Sequence, residues 1–569
     1  MMKNTSTVMV AALWVVLVPS ACTAIAGLKD YQVGPEETGG AGGVGGVGGG
    51  MGGMGGSGGG MGGVGGMGGV GGMGGAMLCE PNSSAPCYTG PPGTENVGAC
   101  ALGTWTCNAE GTAYGPCMGE VVPTTESCAT QAIDESCDNA PSCTGSPAWS
   151  KVYEGGSSTT FDVAADAEGN VYAIGVFAGV VDFGGGPVSA DGTEDVFVLK
   201  LDKTGVFGWL KRFGDVEYQY GQSIAVDAAG DVIIAGYFTG SIDFGGGALA
   251  SQGTEDIFIA KLDAAGGHVW SKVFGDAVYQ NALSVAVDGA GNAILTGYFD
   301  GTVDFGGGPL TTGGEEDIFV VKLGAADGAH QWSKRFGGPA KQFGVGVAVD
   351  SADNVLLVGS FSGSVDLGGG PLTSAGSDDV LVAKLDSAGN YVWASRHGDS
   401  DDQSGVAVAA DSQGNVLVTG HFKGSLQFGG SNLSAGAAED IYVAKLTSGG
   451  AHVWSKDFGD AAQQFGQAIA VDGEGNVVIT GYFSGSAMFG GGSVTSVDGR
   501  DIYAVKLDPA GGHLWNKRFG DLDHQFGQAI AVDALGNVVL GGYVNGTVDF
   551  GGGATTVAND TAYVVKLLP

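Results

Sequence analysis

Positive charge is scarce in this chain. Its 569 residues carry 23 Lys and Arg against 60 Asp and Glu, a formal net charge of −37. A surface of that sign repels phosphate backbones and anionic lipid headgroups. Nucleic acid is therefore excluded as a partner, and divalent cations and cationic ligands are the classes attracted. Long apolar runs are also missing. The one clear run, Val8–Val18, is too short to span a bilayer comfortably, so no transmembrane helix is expected. Catalytic signatures are absent as well: there is no H-E-x-x-H, no G-x-S-x-G, no P-loop and no zinc-type C-x-x-C pair. Histidines number seven. Four of them (His268, His330, His452, His513) stand two residues before a Trp in separate repeats and cannot converge on one metal. Paired carboxylates for glycoside chemistry, about 5–10 Å apart, are compatible with so acidic a chain, but nothing selects a pair. The expectation is a protein that is not an enzyme.

What the chain has in abundance is glycine, 112 residues, and a period. The N-terminus reads as an export signal (residues 1–26), with Lys3 ahead of the apolar run. The phrase "PSAC", ending at Cys22, resembles the lipobox of bacterial lipoproteins, which implies lipidation of Cys22; cleavage after Ala26 is the competing reading. Residues 27–78 form a tether whose stretch 39–76 is nearly all "GGx". Gly favours no single backbone state, so a coil spanning about 35 Å is expected there. Residues 79–146 hold eight cysteines: Cys79, Cys87, Cys100, Cys107, Cys117, Cys128, Cys137 and Cys143. An even number in a short exported segment implies a disulfide framework standing in for a core, with its pairing open. The stretch "ESCATQAIDESCDNAPSC" resembles acidic Cys-rich motifs of myxobacterial surface proteins. That resemblance implies Asp134, Glu135 and Asp138 as oxygen donors to Ca²⁺, against a purely structural disulfide knot.

From residue 147 to 569 a tryptophan returns seven times: Trp149, Trp209, Trp270, Trp332, Trp393, Trp454 and Trp515. A fixed interval of this kind signals a repeat architecture. Each repeat reads as four short apolar strands joined by turns of the D-x-x-G-[ND] type. Four-stranded units repeated radially make a β-propeller. The region begins on a Trp strand without a predecessor and finishes on "AYVVKL" (Ala562–Leu567), a third strand without a Trp strand after it. The two ends complete one blade, which closes a seven-bladed all-β ring and leaves no open sheet edge. A closed ring has no obligatory partner, so a monomer is expected. The phrases "DFGGG", "GNVVITGYF" and "VWSKRFG" resemble the SBBP-type β-propeller repeat of bacterial surface proteins. With the tether and cysteine segment, the chain looks like a myxobacterial surface lipoprotein. The resemblance implies a propeller and a cell-surface or secreted setting, and no defined reaction.

The turns after strands one and three share one face, the longer loops after strands two and four the other, and longer loops are the expected binding surface. Gln219, Gln280, Gln342, Gln403, Gln464 and Gln525 recur just before the inner strand. They are candidates to ring the central funnel and bind a peptide backbone or sugar hydroxyls; the alternative is that each ties down its own loop. The acids preceding "GGG" (Asp182, Asp243, Asp304, Asp366, Asp549) and those opening the third strand (Asp195, Asp256, Asp317, Asp379, Asp440, Asp501) are candidates for Ca²⁺ if a loop brings them together; the alternative is turn capping. The sevenfold Lys of the third strand (Lys200 to Lys566) is expected in ion pairs with buried stems. His421, which replaces a Tyr found in most blades, and the following Lys423 are departures from the repeat where a private function belongs. The expected role is a non-enzymatic surface protein presenting its propeller to a protein or polysaccharide. The alternatives are a glycan hydrolase or lyase on the same scaffold, and a passive spacer.

Overall fold

The structure is a computed structural model that describes residues 79–89, 101–110, 112–121 and 145–569. The export signal with Cys22, the Gly-rich tether, the acids Asp134, Glu135 and Asp138, and Cys100, Cys128, Cys137 and Cys143 lie outside the described residues. In the small N-terminal unit, Ser84–Cys87 pairs antiparallel with Gly103–Thr106. Two disulfides, Cys79–Cys107 and Cys87–Cys117, hold this hairpin. Trp105 and Tyr114 pack at 5.6 Å beside it. Bridges replace a core here, as composition predicts.

Residues 145–569 form seven antiparallel blades of four strands each, the first of which also pairs its hairpin strand Pro187–Ser189 into the sheet. We number them as blades one to seven by their inner strands, which begin at Gly155, Gln219, Gln280, Gln342, Gln403, Gln464 and Gln525. The seventh blade is composite. Its outer strand is Pro147–Val152, which pairs with Thr555–Leu567 in the register Ser150 to Val565 and Lys151 to Val564. The predicted closure is therefore the observed one, and every blade has four strands. Second and third strands such as Val232–Phe238 and Asp256–Leu262 are buried along their whole length. Neighbouring blades cover both of their faces, which is why they read as unbroken apolar runs.

The long loop after the second strand is a hairpin of its own, for example Ser241–Ile242 with Leu249–Ala250. It does not stand up from the loop face. Its "GGG" tip folds back to the start of the outer strand, where a Cβ on Gly246 would strike the ring of His268, 2.3 Å away. Gly245 and Gly247 adopt φ of 104° and 108°, which a side chain disfavours. On the way the hairpin inserts an aromatic ring between blades. Phe183, Phe244, Phe305, Phe428, Phe489 and Phe550 meet Tyr153, Phe213, Phe274, His397, Phe458 and Phe519 of the preceding blade at 4.3–5.2 Å.

Candidate functional site

Most of the recurrent polar residues are engaged in building the wheel. Six third-strand lysines (Lys261, Lys322, Lys384, Lys445, Lys506, Lys566) are buried and pair at 2.6–3.0 Å with the Asp that opens the turn between the first and second strands of the same blade. Burial pushes those carboxyls up, but the Lys and Asn partners outweigh it. Asp288, Asp350, Asp411, Asp472 and Asp533 accordingly lie below the usual carboxylate range. Lys200 departs from this pattern: its ammonium sits 4.8 Å over the Tyr172 ring and donates to the Ala264 carbonyl. Six of the seven Trp indoles donate to a turn carbonyl of the next blade at 3.0–3.2 Å. For Trp515 the next blade is the composite seventh, whose third and outer strands, ending at Leu567 and starting at Pro147, are not joined by a turn, and its Nε1 has no acceptor among the described residues.

The glutamine series requires a correction. Gln219, Gln280, Gln342, Gln403, Gln464 and Gln525 are fully buried. Each Oε1 accepts the backbone N–H four residues earlier at 2.9–3.3 Å. Each Nε2 donates to a carbonyl at the end of the second strand at 2.7–3.2 Å. In five blades it also donates to the Asp that opens the loop. These amides are loop ties and present nothing to a ligand. The first blade has Ser158 instead, whose hydroxyl accepts the N–H of Ala562 across the closing seam.

The acids separate in the same way. Asp182, Asp243, Asp304, Asp366 and Asp549 cap their own glycine turns, accepting two N–H groups each at 2.6–3.1 Å. They sit at the hairpin tips, at the opposite end of the blade from Asp195 and its equivalents, so the two series do not converge on Ca²⁺. Among the described residues no group of three or more His, Cys, Asp or Glu is arranged to hold a metal. Asp195, Asp317, Asp379 and Asp501 are buried and pair with Arg212, Arg335, Arg396 and Arg518 on the adjoining outer strand.

What remains unrepetitive gathers on the loop face. One position, just before the third strand, was not singled out in the sequence: Glu194, Glu255, Glu316, Asp378, Glu439, Arg500 and Asp560. Six acids and one arginine thus ring that face. Aligning the repeats on their third strands would have revealed it. Burial raises the Glu194 and Glu255 carboxyls. Glu194 accepts from the Tyr220 hydroxyl and Glu316 from Tyr279 at 2.7 Å. In blades five and six the pattern changes. Lys423, which is 43% exposed, pairs with Glu439 at 2.9 Å. Glu439 also accepts Gln463 Nε2 at 3.1 Å, and Arg500 donates to Gln463 Oε1 at 3.2 Å. The Arg500 guanidinium lies 5.3–6.0 Å from the rings of Phe465, Tyr482 and Phe526. His421 is beneath the surface, edge-on to Phe465 at 4.8 Å, with its pKa lowered by burial to about 4. It is a buried, neutral packing residue, and Lys423 is the exposed member of the pair.

Inside the ring, the inner strands of all seven blades line a cavity of about 230 Å³. Its one acid is Asp162, half-buried at the cavity wall and raised to about 6 by desolvation despite bonds from Ser223 Oγ, Ile224 N and Val163 N.

No family model matches the chain. It is 24% identical over 443 residues to an uncharacterised WD repeat-containing protein of Acanthamoeba polyphaga mimivirus, covering 63% of this chain and 32% of that one. It is 26% identical over 213 residues to the regulatory protein FlaEY of Caulobacter vibrioides, covering 36% of this chain and 22% of that one. The chain thus spans a third or less of these relatives. Among solved structures, the WD40 β-propeller domain of Doa1 aligns with 74% of this chain and 97% of its own length, at 10% identity and a TM-score of 0.36. The chain is a β-propeller repeat protein.

Proposed function

We propose that this chain is a non-enzymatic interaction protein, exported and held at the cell surface through lipid on Cys22, that offers the loop face of its propeller to a protein partner. The observation that carries the reading is the distribution of departures from the repeat. Where residues recur blade after blade they are engaged internally. Where they depart, in Lys423, Gln463 and Arg500, they join the recurrent acid Glu439 in one connected polar network over an aromatic floor on a single face. A half-buried Arg over a cluster of aromatic rings is the kind of anchor that dominates protein interfaces. The WD-repeat naming of the viral relative supports the reading. The protein acts as a monomer and needs no cofactor for this role.

A photo-crosslinking residue at position 423, on the loop face, tests the proposal against one at position 535 on the turn face, where Leu535 is 73% exposed. The expected result in the native host is a discrete protein adduct from position 423, lost with Arg500→Glu and absent from position 535. Equal adducts from both faces, or none from position 423, contradict the proposal.

A further inference from the structure

The outer strand of the fifth blade breaks the repeat in a way the interaction network does not use. Four blades place an arginine next to last on that strand, and its guanidinium reaches the buried carboxylate opening the third strand. In the fifth blade the position is Asp457. Its Asp440 is consequently left without a cation. Its Oδ2, the oxygen that meets the arginine in the sister blades, accepts only the Gly436 N–H at 3.2 Å; its Oδ1 is unpartnered, as it is in the other five blades that carry this Asp, and the residue is only 4% exposed. A cavity of about 390 Å³ opens at this point, lined by Ser434, Gly436, Asp440, Asp457, Asp460 and Met488. Asp460 keeps its structural bonds to Gln464 and Ser486. The second blade also lacks the arginine, but an apolar Val273 stands there. The fifth blade alone combines the lost cation with an added acid.

We propose that this cavity receives an arginine side chain of a partner protein, whose guanidinium occupies the place that the chain's own arginines fill in four sister blades. The chemistry is written into the molecule four times: a buried aspartate at the start of the third strand is a guanidinium receptor in this fold. Burial, with Asp457 and Asp460 nearby, pushes the Asp440 carboxyl up to about 6, with no arginine beside it to oppose that shift as Arg396 and Arg518 do for Asp379 and Asp501. A planar guanidinium can also serve two acids at once, and the thioether of Met488, 66% exposed, offers an apolar wall to the side-chain stem. The inference rests on the interaction reading above and adds the chemistry of one contact.

Met488 is the sole methionine of residues 145–569, so its methyl group reports on the cavity. In the full-length protein labelled with [¹³C]methyl-methionine, and assigned with Met488→Leu, acetyl-arginine methylamide should shift the Met488 signal saturably. The neutral acetyl-citrulline methylamide should leave it in place. Asp457→Arg, which restores the sister-blade pair, should abolish the shift and raise the thermal midpoint. Asp457→Asn should weaken the arginine response severalfold without refilling the cavity. No shift with arginine, an equal shift with citrulline, or a shift that survives in Asp457→Arg overturns the proposal, as does displacement of arginine by millimolar CaCl₂. A retained arginine shift with no adduct from position 423 removes the interaction reading and leaves the cavity standing; the converse removes the cavity alone.

Discussion

His421 shows how one side chain records its surroundings. Most blades carry Tyr at this point, its hydroxyl at the polar end of an aromatic stack. The imidazole keeps the ring contact with Phe465 but is buried, and desolvation disfavours its charged form. Its folded pKa of about 4 lies below the unfolded value, so between about pH 6.5 and 4 the unfolded chain binds a proton that the folded one refuses. Stability is therefore lost as pH falls through that window, by up to about 3 kcal/mol. His397, wedged against Phe428 and also lowered to about 4, adds a loss of the same sign. His421→Tyr should accordingly retain more stability at pH 4.5 than the parent and remove roughly half of the acid-side decline, read from urea midpoints at pH 7 and 4.5. An unchanged decline would mean that the ring is solvated. The sequence marked His421 as a departure from the repeat, but it could not say whether the departure points outward or inward. That depends on which side of the second strand faces the next blade, a packing fact rather than a pattern.

At the level of strands and turns, the repeated ion pair is the clearest joint. Six of the seven third-strand lysines cross to the turn Asp, and several also reach a carbonyl of the neighbouring blade, as Lys384 does to Ser448 and Lys566 to Gly169. Removing one partner leaves the other charge buried and uncompensated, which costs about 3–5 kcal/mol. Lys384→Met should therefore cost that much. Lys200→Met, where the ammonium rests on Tyr172 and has no carboxylate within pairing distance among the described residues, should cost about 1–2 kcal/mol. Chemical denaturation of the two variants decides it, and equal losses would refute the distinction. The recurrence of Lys and turn Asp sufficed to foresee this joint. Recurrence alone did not separate a ring of exposed amides from a set of buried ties, because both demand Gln at every turn. Nor did it reveal the hairpin folding back between blades: "DFGGG" reads as a flexible loop until its Phe is seen to fill the gap behind the previous blade.

Across the whole molecule, the ring and its composite blade follow from chain ends that are each half a blade, a feature readable without coordinates. The loop face follows from strand order. The polar network of blades five and six was only partly visible, because Glu439, Gln463 and Arg500 come from two blades and meet only once the ring is closed. Every assignment of residues to faces depends on that closure. Peptide-level hydrogen exchange on the intact protein tests it most directly, because an outer strand without its partner exchanges like an unfolded segment. The account predicts that amides of residues 147–152 and 561–567 exchange as slowly as those of the outer and third strands of blade four, residues 391–397 and 379–385. Exchange of residues 147–152 within seconds, with residues 391–397 still protected, would contradict a closed seven-bladed ring.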